Sequence, residues 1–159
     1  MKGLIHLIRS NRYIITVILS FLAIGIEYFY IVCDTSCSYL RGDLFGIELE
    51  YIGIGYMVAI IILSVLKRDM YLLFLLSCGF GIELYLVGFQ IRHNTYCPYC
   101  LAFGAILILQ FVTNIDGKRK RLIFLSMLIA LILFSLFFKG SATFQYSIGA
   151  PPVHGVERL

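Results

Sequence analysis

Two cysteines three positions apart stand at the start of an apolar segment. Residues 95–100 read TYCPYC and run directly into LAFGAILILQF. Pro98 suits the first position of a helix, where its missing amide hydrogen costs nothing, so Cys97 is predicted to cap the helix and Cys100 to lie in its first turn. Free backbone amides and the positive end of the helix dipole would then point at both sulfurs. Such a site stabilises a thiolate and can lower a cysteine pKa from about 8.5 to roughly 3.5–7.5.

A second cysteine pair precedes this one in the chain. Cys33 and Cys37 flank Asp-Thr-Ser in a predicted loop of roughly residues 31–45. A mobile pair near a helix-borne pair permits a relay, in which a thiolate of one pair attacks a sulfur of the other. Two inert disulfides that clamp the loops, and a tetrahedral zinc site of four thiolates, are the alternatives. Cys78 has no partner in this pattern and is predicted to pack as a small apolar side chain.

Long apolar blocks must position these cysteines. The chain of 159 residues is 60% hydrophobic and 14% charged, whereas a soluble domain is about 45–50% apolar and about 25% charged. A membrane-spanning helix needs about 20 apolar residues, and no segment shows the period-two alternation of a membrane barrel. The predicted fold class is therefore all-α, a polytopic membrane protein. Its spans are expected at about residues 13–32, 46–66, 71–91, 98–115 and 122–138.

The positions of the basic residues predict the orientation of these spans. Nine Lys and Arg residues precede the first span or lie in the turns before the third and fifth, and four lie on the other side. Basic residues mark cytoplasmic loops, so the amino terminus is predicted to be cytoplasmic. The first span is too long for a signal peptide and no small-x-small cleavage pattern follows it, so it is predicted to stay uncleaved. Four of the five cysteines then face outward, where disulfides persist, so no metal site is predicted. The basic residues flank apolar blocks and do not alternate with exposed aromatics, so no nucleic-acid surface is expected.

These features together resemble the bacterial homologues of vitamin K epoxide reductase. The resemblance lies in Cys33 and Cys37, in FGIELEYIGIGYM leading the second span, and in CPYC at the head of the fourth, and it covers roughly residues 13–115. It implies a four-helix bundle around a quinone (ubiquinone or menaquinone), with a fifth transmembrane helix. It also implies that Cys33 exchanges electrons with a thioredoxin-like partner. Cys37 would then attack Cys97, and Cys100 would face the quinone.

The resemblance implies an enzyme of the bacterial inner membrane with its cysteines on the periplasmic side. Its expected reaction is thiol:quinone oxidoreduction that supports disulfide bond formation. The resembling domain is expected at residues 1–139, followed by a periplasmic tail at 140–159. Many family members carry a fused thioredoxin-like domain, which this sequence lacks, so the electron donor is expected to be a separate periplasmic protein. Gly104 stands where animal members carry a tyrosine, so vitamin K epoxide is not the expected substrate.

Polar residues within the spans complete the predicted quinone site. Tyr99, Phe103 and Glu83 are predicted to lie with Cys100 at the quinone. Glu27 and Glu83 are ionisable groups inside apolar runs, where a charge costs at least about 2.5 kcal/mol. Quinone reduction consumes two protons, which a buried carboxyl could deliver. The alternative for each glutamate is a side chain that reaches the interface or a neighbouring hydroxyl.

Two other functions fit parts of the pattern. A thiol-dependent metal-ion transporter would need one thiol pair within the membrane and another facing the cytoplasm. The predicted span interiors hold only Cys78, which favours the oxidoreductase. A structural anchor with clamped loops would show one fixed disulfide pattern, whereas a relay would also form mixed pairs such as Cys37 with Cys97.

Overall fold

The computed structural model describes residues 11–33, 40–44, 46–94, 96–115 and 117–142. Most of these residues are helical, which confirms the predicted helical fold. A short 3-10 turn, Gly117–Arg119, precedes the last helix. The described helices are α1 (Arg12–Cys33), α2 (Leu49–Val65), α3 (Asp69–His93), α4 (Pro98–Asn114) and α5 (Lys120–Phe137).

A small antiparallel sheet accompanies the helices and was not predicted. Its strands are β1 (Leu40–Leu44), β2 (Ile47–Glu48) and β3 (Phe138–Ala142), in the order β2-β1-β3. Gly46, the expected start of the second span, lies in the turn between β1 and β2 with a φ of 81°. Phe138, the expected end of the fifth span, opens β3 and pairs with Leu44. The sheet thereby joins the segment before α2 to the end of α5.

Local sequence explains where α3 ends. Asn94 adopts the left-handed conformation, with a φ of 50° and a ψ of 36°. Asparagine tolerates this conformation better than most residues, and the Asn94 N–H caps the helix at the carbonyls of Gln90 and Ile91. As a result α3 extends to His93, two residues beyond the predicted end of the third span.

The first four helices share one apolar core. α1 packs against α2 and α4, and α3 packs against α2, α4 and α5. The approach of α3 to α5 is so close that a Cβ on Gly81 would overlap the carbonyl oxygen of Met127. The buried core side chains come from α1 to α4 and are Ala23, Met57, Ile60, Leu72, Leu73, Leu76, Ile106, Leu107 and Phe111.

Buried polar side chains join α1 to α4. Gln110 Nε2 donates to Ser20 Oγ over 2.9 Å, and Asn114 Nδ2 donates to Thr16 Oγ1 over 2.8 Å. All four side chains are buried. Hydrogen bonds of this kind hold helices together where no water competes for the polar groups.

Three of the described helical segments are long and apolar enough to cross a membrane. They are Arg12–Val32, Asp69–His93 and Lys120–Phe137. The helices α2 and α4 are also apolar but shorter, at 17 residues each. The coarse prediction of apolar, membrane-length helices is therefore confirmed for these three.

Candidate functional site

Cys97 and Cys100 meet at the start of α4, as predicted. Cys97 is the residue that caps the helix, and Pro98 lies in the first turn. The Cys100 thiol donates to the Cys97 sulfur with the two sulfurs 2.7 Å apart, and the Cys100 backbone N–H donates to the same sulfur over 3.3 Å. A disulfide bond is about 2.0 Å long, so its formation requires only a small movement of one side chain.

Hydrogen bonds lower the pKa of Cys97 to about 7. The bond from the Cys100 thiol contributes most, and the backbone amides of Cys100 and Tyr99 add to it. Burial acts in the opposite direction, because it disfavours the charged thiolate. The hydrogen bonds therefore favour the thiolate of Cys97, which is the form that exchanges with disulfides.

Aromatic side chains cover the Cys97 sulfur. Cys97 is 0% exposed and packs with Tyr30, Phe89 and Tyr99. The ring centroid of Tyr99 lies 5.7 Å from that of Tyr30 and 5.9 Å from that of Phe29. We call Tyr30, Phe89 and Tyr99 the aromatic cover. We expect this cover to have to open before a sulfur from outside can reach Cys97.

The predicted loop pair lies largely outside the described residues. α1 ends at Cys33, and Cys37 belongs to residues 34–39, which are not described. Tyr30, one turn before the end of α1, contacts Cys97, so the end of α1 and the head of α4 lie at the same end of the molecule. The attack of Cys37 on Cys97 stays a prediction.

An apolar cavity of about 120 Å³ lies next to Cys100. An apolar cavity of about 150 Å³ holds a benzene ring, so this one is slightly smaller than a cavity that binds a single ring. Of the residues predicted at the quinone, Cys100, Phe103 and Glu83 line the cavity. Tyr99 belongs to the aromatic cover instead. The lining is Glu27, Leu44, Leu49, Ile52, Gly53, Tyr56, Gly79, Ile82, Glu83, Leu86, Gln90, Cys100, Phe103, Leu107 and Phe134.

One face of α3 brings two buried polar side chains to the cavity. Glu83 is 5% exposed and Gln90 is 1% exposed, and their spacing of seven residues places them on the same helix face. Gln90 Oε1 accepts the backbone N–H of Cys97 over 3.0 Å. Within the part of the chain that the structure describes, Glu83 Oε1 and Gln90 Nε2 have no hydrogen-bond partner. Sequence reasoning missed Gln90, although it lies seven residues from both Glu83 and Cys97.

Gly104 makes room for the Glu83 carboxyl. A Cβ on Gly104 would overlap Glu83 Oε1, because the carboxyl lies directly against the backbone of α4. Glu27 is placed in a similar way on the other side, since its Oε1 lies 3.3 Å from the position of a Cβ on Gly53. Both predicted acidic residues therefore border the cavity next to glycines, and a larger residue at position 104 would displace Glu83.

Cys78 lies apart from this site. It is half-buried, and its thiol donates to the carbonyl oxygen of Ser126 over 3.7 Å. The contact joins α3 to α5 and leaves Cys78 outside the lining of the cavity. Among the described residues, no group of three or more His, Cys, Asp or Glu side chains is arranged to hold a metal ion.

The site thus combines a thiolate-forming cysteine pair with an apolar cavity. Two unpartnered polar atoms, one from Glu83 and one from Gln90, belong to its lining. Comparison with protein-family models, with curated proteins and with solved structures finds no match for the chain. Its function is therefore inferred from the residues of this site.

Proposed function

We propose that the chain is a membrane thiol:quinone oxidoreductase. It oxidises a separate periplasmic thioredoxin-like protein and thereby supports disulfide bond formation. The single observation that carries the proposal is the position of Cys100, which contacts the Cys97 sulfur and also lines the apolar cavity. A residue in this position can connect the dithiol of a water-soluble partner with an acceptor that is dissolved in lipid.

The distribution of polar side chains supports a membrane location. Large apolar side chains cover the outside of the helices, for example Phe21 on α1 and Leu136 on α5, which are 62% and 71% exposed. Polar side chains such as Ser20 and Gln110 are buried between the helices. Soluble proteins show the reverse pattern, whereas lipid favours an apolar exterior. We propose that α1 to α4 form a four-helix bundle around the cavity, with α5 as a fifth transmembrane helix.

Charge supports the orientation of this bundle. Arg12, Asp69 and Arg119 line one small polar cavity, and Arg12 Nη2 lies 2.7 Å from Asp69 Oδ2. This cluster belongs to the start of α1 and α3, whereas Cys97 lies at the opposite end of α1, beside Tyr30. Basic residues favour the cytoplasmic side, so the cysteine end faces the periplasm of a bacterial inner membrane.

The chemistry of the cavity lining supports a quinone as the acceptor. A quinone, ubiquinone or menaquinone, would supply a ring that accepts two electrons and two protons. The apolar walls suit the ring, and the unpartnered NH₂ group of Gln90 suits one of its oxygens, as does the Glu83 carboxyl while it carries a proton. Phe103 lies on the α4 side of the same cavity, beside Cys100.

The two cysteines supply the electrons. In the reduced protein, Cys97 and Cys100 are thiols or thiolates. Forming the bond between their sulfurs releases two electrons, together with two protons from a pair of thiols or one proton when Cys97 is a thiolate. The acceptor takes up two electrons and two protons, so with the Cys97 thiolate the second proton comes from solvent through the Glu83 carboxyl. Cys100 lies at the cavity and is the sulfur from which the electrons leave. Glu83, whose carboxyl borders the cavity, holds and transfers a proton there.

The loop cysteines return the pair to its reduced state. Cys33 exchanges with the thioredoxin-like partner, and Cys37 then attacks the Cys97 sulfur of the disulfide. The second step requires the aromatic cover to open, because Cys97 is fully buried. An outer pair that meets the partner and a buried inner pair that meets the acceptor would keep the two reactions at separate places.

The test is a quinone-reduction assay with the purified protein in lipid nanodiscs. A reduced thioredoxin-like protein is the donor, and a soluble quinone analogue is the acceptor, whose absorbance reports its reduction. The protein should turn over, and Cys100→Ser should abolish turnover because no disulfide can form with Cys97. Cys78→Ser is the matched control and should retain turnover, since Cys78 does not line the cavity. Full turnover in Cys100→Ser would rule out the proposed electron path.

A further inference from the structure

The CPYC motif holds the side-chain amide of Gln90 in one orientation. The backbone N–H of Cys97 is a donor, so the atom of Gln90 that faces it must be the acceptor oxygen. The distance from Cys97 N to Gln90 Oε1 is 3.0 Å. The two ends of a glutamine amide have opposite character, so this bond turns the NH₂ group of Gln90 away from Cys97.

The NH₂ group of Gln90 is left without an acceptor. Gln90 is 1% exposed and lines the cavity, and its Nε2 has no partner among the described residues. A buried donor without an acceptor is destabilising, and most such groups in native proteins are satisfied by protein or bound molecules. Glu83 lies seven residues earlier on α3, about 10.5 Å along the helix axis, and its own Oε1 is also unpartnered.

The two unpartnered atoms on the apolar cavity indicate the chemistry of a ligand. Gln90 contributes a donor near the head of α4, and Glu83 contributes a carboxyl further along α3. Apolar side chains, including Leu86 and Phe103, line the cavity with them. A para-quinone carries two carbonyl oxygens on opposite sides of a flat apolar ring, so it complements the Gln90 donor and a Glu83 carboxyl that holds its proton.

We propose that Gln90 donates a hydrogen bond from Nε2 to one carbonyl oxygen of the quinone and so holds the ring beside Cys100. This inference rests on the proposed function. A hydrogen bond to the carbonyl draws electron density toward its oxygen, so it also makes the ring a better electron acceptor. Gln90 keeps its protons throughout. Because the same side chain bonds the Cys97 amide, it fixes the ring relative to both thiols.

The test measures the carbonyl stretch of a quinone labelled with ¹³C at its carbonyl carbons. Infrared difference spectra are recorded on the quinone bound to the full chain in nanodiscs. In the wild type, the band should lie at a lower frequency than in free quinone. In Gln90→Met, which has a similar volume and no donor, the shift of the carbonyl nearest Cys100 should be lost. Binding should weaken by up to about tenfold, the effect of losing one neutral hydrogen bond.

Gln110→Met is the matched control. Gln110 is also a buried glutamine, but it bonds Ser20 between α1 and α4 and does not line the cavity. Its replacement should leave the quinone band at the wild-type position. A shift that is lost equally in both variants would contradict the inference, because it would reflect a general loosening of the helices.

A second variant separates quinone binding from support of the motif. Gln90→Glu keeps an oxygen acceptor for the Cys97 amide and replaces the NH₂ group. It is also the variant to use if Gln90→Met does not fold. With its carboxyl ionised, this variant should move the quinone band away from its wild-type position, and it should raise the pKa of Cys97 because a carboxylate disfavours the neighbouring thiolate. An unchanged band in Gln90→Met, or in Gln90→Glu with its carboxyl ionised, overturns the role of Gln90. Failure of the wild type to bind quinone at all overturns the proposed function itself.

Discussion

At the scale of single residues, two opposing effects act on the Cys97 sulfur. Burial disfavours its thiolate, and three hydrogen bonds, from the Cys100 thiol and from two backbone amides, favour it. The hydrogen bonds prevail, and the pKa falls to about 7. The largest contribution comes from the Cys100 side chain, so the acidity of Cys97 depends on its neighbour more than on the helix start alone.

Removal of this thiol should raise the pKa of Cys97. In Cys100→Ala the strongest hydrogen bond is lost and the burial remains, so Cys97 should carry less thiolate at neutral pH. The thiolate absorbance in the ultraviolet, measured as the difference between each protein and its Cys97→Ser counterpart, reports this titration. Its midpoint should lie near pH 7 in the parent and at clearly higher pH in Cys100→Ala. Coincident midpoints would show that the thiol contact does not set the acidity.

Local chemistry made part of this site predictable. Cys97 and Pro98 fall at the cap and first turn because both preferences are encoded within a few residues, and the structure confirms them. Gln90 and Tyr30 were not predicted as parts of the site. The spacing of seven residues places Gln90 on the helix face of Glu83, but the contacts of Gln90 and Tyr30 with Cys97 form across the fold, and the sequence does not signal them.

At the scale of helices, the last turn of α1 covers the motif at the start of α4. Tyr30 is 5% exposed and packs on Cys97, whereas Tyr28 on the same helix is 66% exposed. Tyr30 and Tyr99 also contact each other through their rings. The position of α1 therefore controls access to the buried sulfur.

Opening of the aromatic cover should be easier in Tyr30→Ala. An aromatic contact contributes about 0.5–1.5 kcal/mol beyond its buried area, so the open state should become up to about tenfold more populated. Alkylation of Cys97 in the reduced protein, followed by mass spectrometry of its peptide, should accelerate accordingly. Tyr28→Ala is the matched control and should react at the wild-type rate. Equally faster alkylation of Cys97 in both variants would contradict a specific role of Tyr30, because it would reflect a general loosening of α1.

The polar contacts between α1 and α4 should contribute to stability. Gln110→Leu removes the hydrogen bonds to Ser20 and to the carbonyl of Thr16. It should lower the free energy of unfolding by roughly 0.6 kcal/mol, the average for a hydrogen bond between membrane helices, and by at most about 1.7 kcal/mol for each bond. Thr113→Val is the control, because Thr113 Oγ1 bonds only the carbonyl of Leu109 within its own helix in the described contacts. Denaturant unfolding in mixed micelles measures the free energy of unfolding of both variants. A stabilised Gln110→Leu protein would contradict the assigned contact.

The helices were easier to predict than the strands. Long apolar runs identify helices through length alone. The observed helix ends differ from the predicted span ends by up to three residues, as at Leu49. β1 and β3 have five residues each and contain glycine, so neither carries an alternating apolar pattern of useful length. Their pairing joins residues about 100 positions apart, and only tertiary structure brings them together.

At the scale of the whole molecule, the two ends differ in chemistry. One end carries the ion pair of Arg12 and Asp69, near Arg119. The other carries the cysteine motif and the aromatic cover. Apolar side chains dominate the exposed surface between them, for example on α5. A membrane protein whose two ends differ in this way is expected to insert in one orientation.

This orientation can be measured by labelling single cysteines in intact cells. In a background without reactive native cysteines, Asn94→Cys should react with a membrane-impermeant maleimide added outside, because residue 94 adjoins the cysteine end. Arg68→Cys should react only after the cytoplasmic side is made accessible. Both positions are exposed in the structure, so access to the reagent is the only intended difference. The opposite pattern would place the motif in the reducing cytoplasm and contradict the proposed function.

The volume of the cavity also bears on how the protein would choose among natural acceptors. The cavity next to Cys100 measures only about 120 Å³, so under the proposed function the isoprenoid tail of a membrane quinone would stay among the acyl chains. Selectivity would then come from the substituents on the ring, and tail length would affect only how the molecule partitions into the bilayer. A water-soluble quinone analogue with a truncated tail should therefore be reduced as fast as its full-length counterpart once it is bound in the cavity.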